Sequence, residues 1–208
     1  MSRNKIALSF ALAGILGAST ALADEGVYFF GVQGGSGTSK YTLEATPSAK
    51  ADFKGLRYGI VFGQKGFSTD YDFLGVRYYL MGDYGTYKYT DIETFEISTF
   101  NLSLNFDALL NFFSTDNFDL GVFAGVGLGY AYHKVPISEM MMSGVDVGVN
   151  LGLMGSFAQN HSIEFYTRFS FMEQELKSNG YNLYSGYSSF TEKVQQPFQA
   201  GLRYIYSF

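Results

Sequence analysis

Two histidines, and one set of arginines and carboxylates, hold most of the chemistry this sequence could perform. His161 stands beside Ser162, with Glu164 close behind, and these are the residue types from which a nucleophile and its base are made. In an extended segment, however, adjacent side chains point to opposite faces, so His161 and Ser162 do not form a pair. His133 opens a segment that reads as a loop, and it is expected to be solvated there. No His/Asp spacing suits zinc. The run Gly34, Gly35, Ser36, Gly37 is followed by no helical pattern, so it is not a phosphate loop. There is no Cys, which removes thiolate nucleophiles, thiolate metal sites and disulfides. The expectation is a protein without enzymatic activity, cofactor or metal.

The second set is Arg57, Arg77, Arg168 and Arg203, with Asp107, Asp146 and Glu164. Each interrupts a segment in which every other residue is apolar. Such period-two alternation marks a strand with two unlike faces. Seven runs are clear, at 55–63, 74–80, 100–110, 120–130, 145–153, 163–171 and 198–208, and residues 27–35 make an eighth. Leu102, Leu104, Phe106 and Ala108 against Asn101, Ser103, Asn105 and Asp107 is the pattern at its plainest. The gaps alternate too: 37–53, 82–96, 133–143 and 173–195 are long, whereas 64–71, 112–117 and 157–161 are short and carry turn residues. Short turns at one end, long loops at the other and an even strand count describe a transmembrane β-barrel of the bacterial outer membrane, with both termini in the periplasm. Runs of this length suit a tilted bilayer crossing better than a soluble sandwich. The predicted fold is therefore all-β, an eight-stranded antiparallel transmembrane barrel. Ten strands are the alternative if 173–195 folds as a further hairpin.

Composition agrees. The chain is 47% hydrophobic and only 16% charged, too apolar for disorder. Its formal net charge is −5 and it has no basic run, so no nucleic-acid partner is expected. Residues 1–23 read as a secretory signal: Arg3 and Lys5, then a short apolar stretch, then Ala21 and Ala23 in an A-x-A pattern before Asp24. The barrel domain is expected to be 24–208.

The last residues, Leu202, Tyr204, Tyr206 and Phe208, with Phe terminal and apolar or aromatic residues at alternate positions before it, resemble the final strand of outer-membrane barrel proteins. The layout as a whole is similar to the small eight-stranded barrels of the OmpA/OmpX type. Residues 160–165 resemble a short turn-to-strand motif of the outer-membrane protein paralogues of epsilon-proteobacteria. That resemblance implies that Tyr204, Tyr206 and Phe208 are the signal read by the barrel-assembly machinery, and that the chain resides among outer-membrane lipids. No peptidoglycan-binding domain is expected beyond the barrel.

Three interiors are compatible with the pattern. The seven charges could form a static network that fills the lumen, since buried charges must pair. They could instead line a narrow conduit, with Gly55, Gly59, Gly63, Gly75, Gly121, Gly125, Gly127, Gly129, Gly148, Gly152 and Gly201 leaving space. An apolar pocket lined by Phe73, Tyr79, Phe123, Met154, Tyr166 and Met172 is the third. Outside, the loops are rich in Tyr, Ser, Gly and Asn, a palette suited to protein contact. Tyr84, Tyr87, Tyr89, Tyr181, Tyr184 and Tyr187 are the contact candidates for an extracellular surface ligand, and Met140, Met141 and Met142 could fold over the mouth. The expected role is structural or adhesin-like, through the loops. A narrow porin-like conduit or a lipid-binding barrel is the alternative.

Overall fold

The computed structural model describes residues 26–44, 48–68, 73–89, 92–134, 141–182 and 186–208, the side chains of 92–95 and 176–190 excepted. Nine strands lie among these residues: β1 (Val27–Glu44), β2 (Ala49–Phe67), β3 (Leu74–Tyr89), β4 (Ile92–Thr115), β5 (Phe118–Lys134), β6 (Met141–Phe157), β7 (His161–Ser170), β8 (Glu173–Asn182) and β9 (Gly186–Ser207). All pairings are antiparallel. They run β1 to β7 in order, then β7 to β9, and β9 closes on β1 from Phe29↔Ser207 to Glu44↔Thr191. The result is a closed eight-stranded ring. The extra hairpin considered for 173–195 does form, yet it adds no strand to the ring. β8 bonds only to β9, outside the closure, on the edge that β7 occupies lower down.

Alternation decides which residues face where. Tyr58, Ile60, Phe62, Leu102, Leu104, Leu151, Leu153, Leu202 and Tyr204 point outward and are exposed to lipid, while Arg57, Val61, Asn101, Ser103, Asn150 and Arg203 are buried inside. Eight strands give an interior that side chains alone can fill. Here they fill it in layers. Leu109, Phe123, Met154 and Tyr166 form one apolar cluster and Phe29, Val61, Tyr79, Met81 and Ile205 another, both towards the periplasmic end. Tyr41, Phe53, Tyr87, Ile97, Met142 and Val194 close the opposite mouth. The polar layer lies between.

The strands outrun their apolar stretches. β1 continues to Glu44, β3 to Tyr89 and β4 begins at Ile92, so much of what reads as long loop is ladder. The cause is visible in the outward residues. Above the lipid-facing stretch they become Thr38, Lys40, Lys50, Asp52, Lys54, Thr86 and Lys88, so the hydropathy period ends where lipid ends and the hydrogen bonds continue.

A bulge sits between β1 and β9, where Thr38 pairs with Phe198 but Lys40 pairs with Gln195. Pro197, which has no N–H to offer a ladder, occupies the extra stretch. The bulge reverses the facing of β9: Gln199 and Arg203 are inside below it, Glu192, Val194 and Gln196 above it. The short turn after β6 holds Ala158 and Gln159 at positive φ, 49° and 64°, as tight hairpin turns require. Asn160 secures it by donating its Nδ2 to the Ser207 carbonyl at 2.9 Å.

Candidate functional site: the barrel lumen and its mouth

Arg77 on β3 is fully buried and held by carboxylates from two other strands. Its Nε donates to Asp107 Oδ2 at 2.8 Å on neighbouring β4, and its Nη1 pairs with Glu164 on β7, across the lumen. Glu164 is shared, for Arg203 on β9 reaches its other oxygen at 3.3 Å. Arg203 also donates from Nε to Gln33 Oε1 at 3.0 Å. Both guanidinium groups lie on aromatic faces, Arg77 4.3 Å from the Phe123 centroid and Arg203 4.9 Å from that of Tyr166. Planar cations over rings are stabilised by the ring quadrupole, more so out of water.

One layer higher, Arg168 donates to Asp146 Oδ2 at 2.9 Å and to Asn105 Oδ1 and Asn150 Oδ1, each at 3.0 Å. Asn101 reaches the same Asp146 oxygen at 3.0 Å. Arg57, higher again, pairs with Asp83 and donates to Gln196 Oε1 at 2.7 Å. From there a chain crosses the mouth: Gln196 Nε2 to Thr99 Oγ1 at 2.6 Å, Thr99 to His133 Nδ1 at 2.9 Å, His133 Nε2 to Gln174 Oε1 at 3.0 Å, and Gln174 Nε2 to the Val145 carbonyl at 3.1 Å. The last contact lies where the β6–β7 ladder has ended, and Gln174 bridges from β8 to β6 there. Still higher, Tyr41 donates to Glu192 at 2.6 Å. Burial and that neighbouring carboxylate push its phenol well above the ordinary tyrosine range.

All seven charges singled out by parity therefore lie inside and are paired. Asp83 joins them, although it falls in a segment that reads as loop. It makes four carboxylates against four arginines in the layers that cross the membrane. Its sequence signal was the continuing odd-numbered facing of Tyr79 and Met81. His133 corrects an expectation outright. It is 1% exposed rather than solvated, because β5 extends through it and turns its ring into the mouth.

The inward glycines border close neighbours rather than open space. A Cβ on Gly148 would sit 3.0 Å from Arg168 Cζ, one on Gly127 would meet the Arg168 guanidinium and Asn105, and one on Gly152 would meet the Phe123 ring. At these three a neighbouring side chain lies against the wall, whereas at Gly35, Gly55 and Gly201 it is the backbone of the adjacent strand that approaches. Nor do the six apolar pocket candidates converge, since Phe73 and Met172 are exposed outside the barrel and the other four are packed.

The tyrosine contact candidates separate. Tyr84 faces outward against Tyr58, ring centroids 5.5 Å apart. Tyr87 is fully buried and accepts from Arg57, because β3 persists and odd positions point inward. Tyr89 is half-buried beside Phe53. Tyr181 and Tyr187 pair in the β8–β9 register, and Tyr184 lies outside the described residues. So do Met140 and most of the third loop, whereas Met141 is exposed and Met142 helps close the mouth. At the periplasmic end His161 is lipid-facing, with Nδ1 2.6 Å from the Tyr204 hydroxyl and its ring against Phe157 and Tyr206. Ser162 points the other way and bonds Ser156. Phe208 N donates to the Tyr28 carbonyl at 2.9 Å. Among the described residues no cluster of His, Asp and Glu could hold a metal ion.

A closed ring with a lipid-facing apolar wall, a charged and packed interior and both described ends at the short-turn side defines a barrel of the bacterial outer membrane, its termini periplasmic. The profile of the family described as Helicobacter outer membrane protein matches residues 59–208, and the chain belongs to that family. Among solved structures it is similar to the outer membrane protein OprG from Pseudomonas aeruginosa. That match has 12% identity and a TM-score of 0.50, over 86% of this chain and 95% of that one. It is also similar to the outer membrane protein AlkL in lipid bilayers, with 14% identity and a TM-score of 0.51, over 88% of this chain and 90% of that one. At such identities the likeness is one of fold. No curated protein sequence matches significantly.

Proposed function

We propose that the protein is a sealed barrel that acts at the cell surface, its membrane part a rigid support and its extracellular hairpins the working surface. The carrying observation is the filled lumen. Arginine–carboxylate layers occupy its middle, apolar clusters occupy both ends, and side chains lie over the wall glycines Gly127, Gly148 and Gly152. The support is then available for presentation, and among the described residues the β8–β9 hairpin continues beyond the end of β1, from Glu44↔Thr191 to Asn182↔Gly186. From Phe198 to Gly186 it continues about 40 Å along the strand at ~3.3 Å per residue. In this reading residues 1–23 are removed on export, Tyr204, Tyr206 and Phe208 are recognised during assembly, and Tyr181, Tyr184 and Tyr187 make the contacts.

Two measurements on refolded protein test it, folding being verified by heat-dependent gel mobility. In planar bilayers the barrel is expected to be electrically silent, and Arg57→Ala is expected to leave it so. Reproducible single-channel openings would overturn the sealed-barrel reading. Replacing 178–190 by a short turn is expected to keep the barrel folded and abolish attachment of protein-coated beads to host-cell surfaces. Undiminished attachment would overturn the role of the hairpin.

A further inference from the structure

Lys54 on β2 and Lys88 on β3 are directly opposite in the antiparallel register, and both side chains are exposed on the outer wall. Like charges facing each other across a ladder repel and destabilise it. Among the described residues no carboxylate forms an ion pair with either. Glu96 on β4 is opposite Lys88 and exposed on the same face, and Asp52 is opposite Lys40 on β1, yet neither comes within ion-pair distance of Lys54 or Lys88. By contrast Lys193, on the same collar, is paired with Glu44 at 2.7 Å and Glu175 at 3.4 Å. Lys54 thus has Thr38 and Lys88, and no carboxylate, directly opposite it, while Lys88 has Glu96 on one side but makes no ion pair with it.

Height on the wall supplies a partner. The pair stands two positions above Leu56, which is 73% exposed on the apolar band. It stands four positions above the Tyr58–Tyr84 pair, itself matched in the same register. Four residues of a strand tilted at ~45° rise roughly 9 Å, from the aromatic belt to the headgroup layer. Thr38 on β1 and Thr86 on β3 flank the two ammonium groups on the same face. What touches an outward side chain at that level is a lipid headgroup. We propose that Lys54 and Lys88 form a two-pronged site for a phosphate of an outer-leaflet lipid, which bridges the ammonium groups and relieves their repulsion.

The test uses the barrel in phosphatidylcholine nanodiscs containing a minor fraction of bisphosphorylated lipid A. Lipid retained after mild detergent extraction is counted by native mass spectrometry. The unaltered protein is expected to retain lipid A, and Lys54→Gln with Lys88→Gln is expected to retain roughly tenfold less. The control pair Lys50→Gln with Lys134→Gln removes equal charge from elsewhere on the collar and should retain it normally. Dephosphorylated lipid A should be lost from all three. Equal retention by the Lys54/Lys88 variant, an equal loss in the control pair, or retention of the dephosphorylated lipid would each overturn the site. So would occupancy by inorganic phosphate without lipid retention. All substitutions face outward, and gel mobility reports that each variant is folded.

Discussion

Glu164 is the residue on which the interior turns. It takes Arg77 from β3 and Arg203 from β9, so three strands that are not consecutive meet at one carboxylate. Removing one partner of a buried ion pair leaves an uncompensated charge, which costs more than the pair contributes. Glu164→Gln is expected to lower stability by about 3 kcal/mol. Urea unfolding in detergent, followed by tyrosine fluorescence because the chain has no Trp, reads this directly. Adding Arg203→Met should recover part of the loss, since it removes the cation that Glu164→Gln orphans. A double variant as damaged as the summed single ones would argue against a shared site. Facing was legible in the sequence for each charge because parity is local. Partner choice was not, because Arg77 and Glu164 are 87 positions apart and meet only through closure of the ring. Asp83 and His133 escaped notice for a different reason: both lie at the upper ends of the clear runs, Asp83 between Gly82 and Tyr84 and His133 between Tyr132 and Lys134, where the two-faced contrast that exposes a strand is weak.

At the level of the strand, alternation located every wall segment but understated its length. β4 runs for 24 residues, and only its middle has an apolar outward face. The reversal of facing in β9 had a visible cue in Pro197, since a proline inside a strand signals a bulge. Which atoms approach each glycine was not legible, because their neighbours are set by register between strands. That register now separates two glycines on β6. Gly152→Val should cost roughly 1–3 kcal/mol, because the new side chain drives into the Phe123 ring and the Phe165 carbonyl. Gly155→Ala should be nearly neutral, for its Cβ would find only ordinary contacts, with Leu120 at 3.6 Å and Phe118 at 3.9 Å. The same unfolding assay ranks them, and a reversed order would contradict the packing described for β5, β6 and β7.

For the molecule as a whole, pairing of the buried charges is the governing fact. Each of the four lumen arginines is held by a carboxylate, Asp83, Asp107, Asp146 or Glu164, and the further buried carboxylate Glu192 accepts from Tyr41 nearer the mouth, so none of these buried charges is left alone in the low-dielectric interior. The ring is also where the two ends of the described barrel meet, Phe208 N bonded to the Tyr28 carbonyl. A short periplasmic linker could join them, and the barrel could be reopened between Glu44 and Ala49, past the last β1–β2 pair, Leu43↔Ala49. As a finished object such a circular permutant should be as stable as the parent. If Phe208 is also the mark by which the assembly machinery recognises the chain, the permutant would have its address buried mid-chain. It should then refold in detergent yet fail to reach the outer membrane of living cells. Cell fractionation beside in vitro refolding separates these outcomes. The closing strand would be revealed as carrying two kinds of information, a fold that tolerates being re-cut and a delivery label that does not.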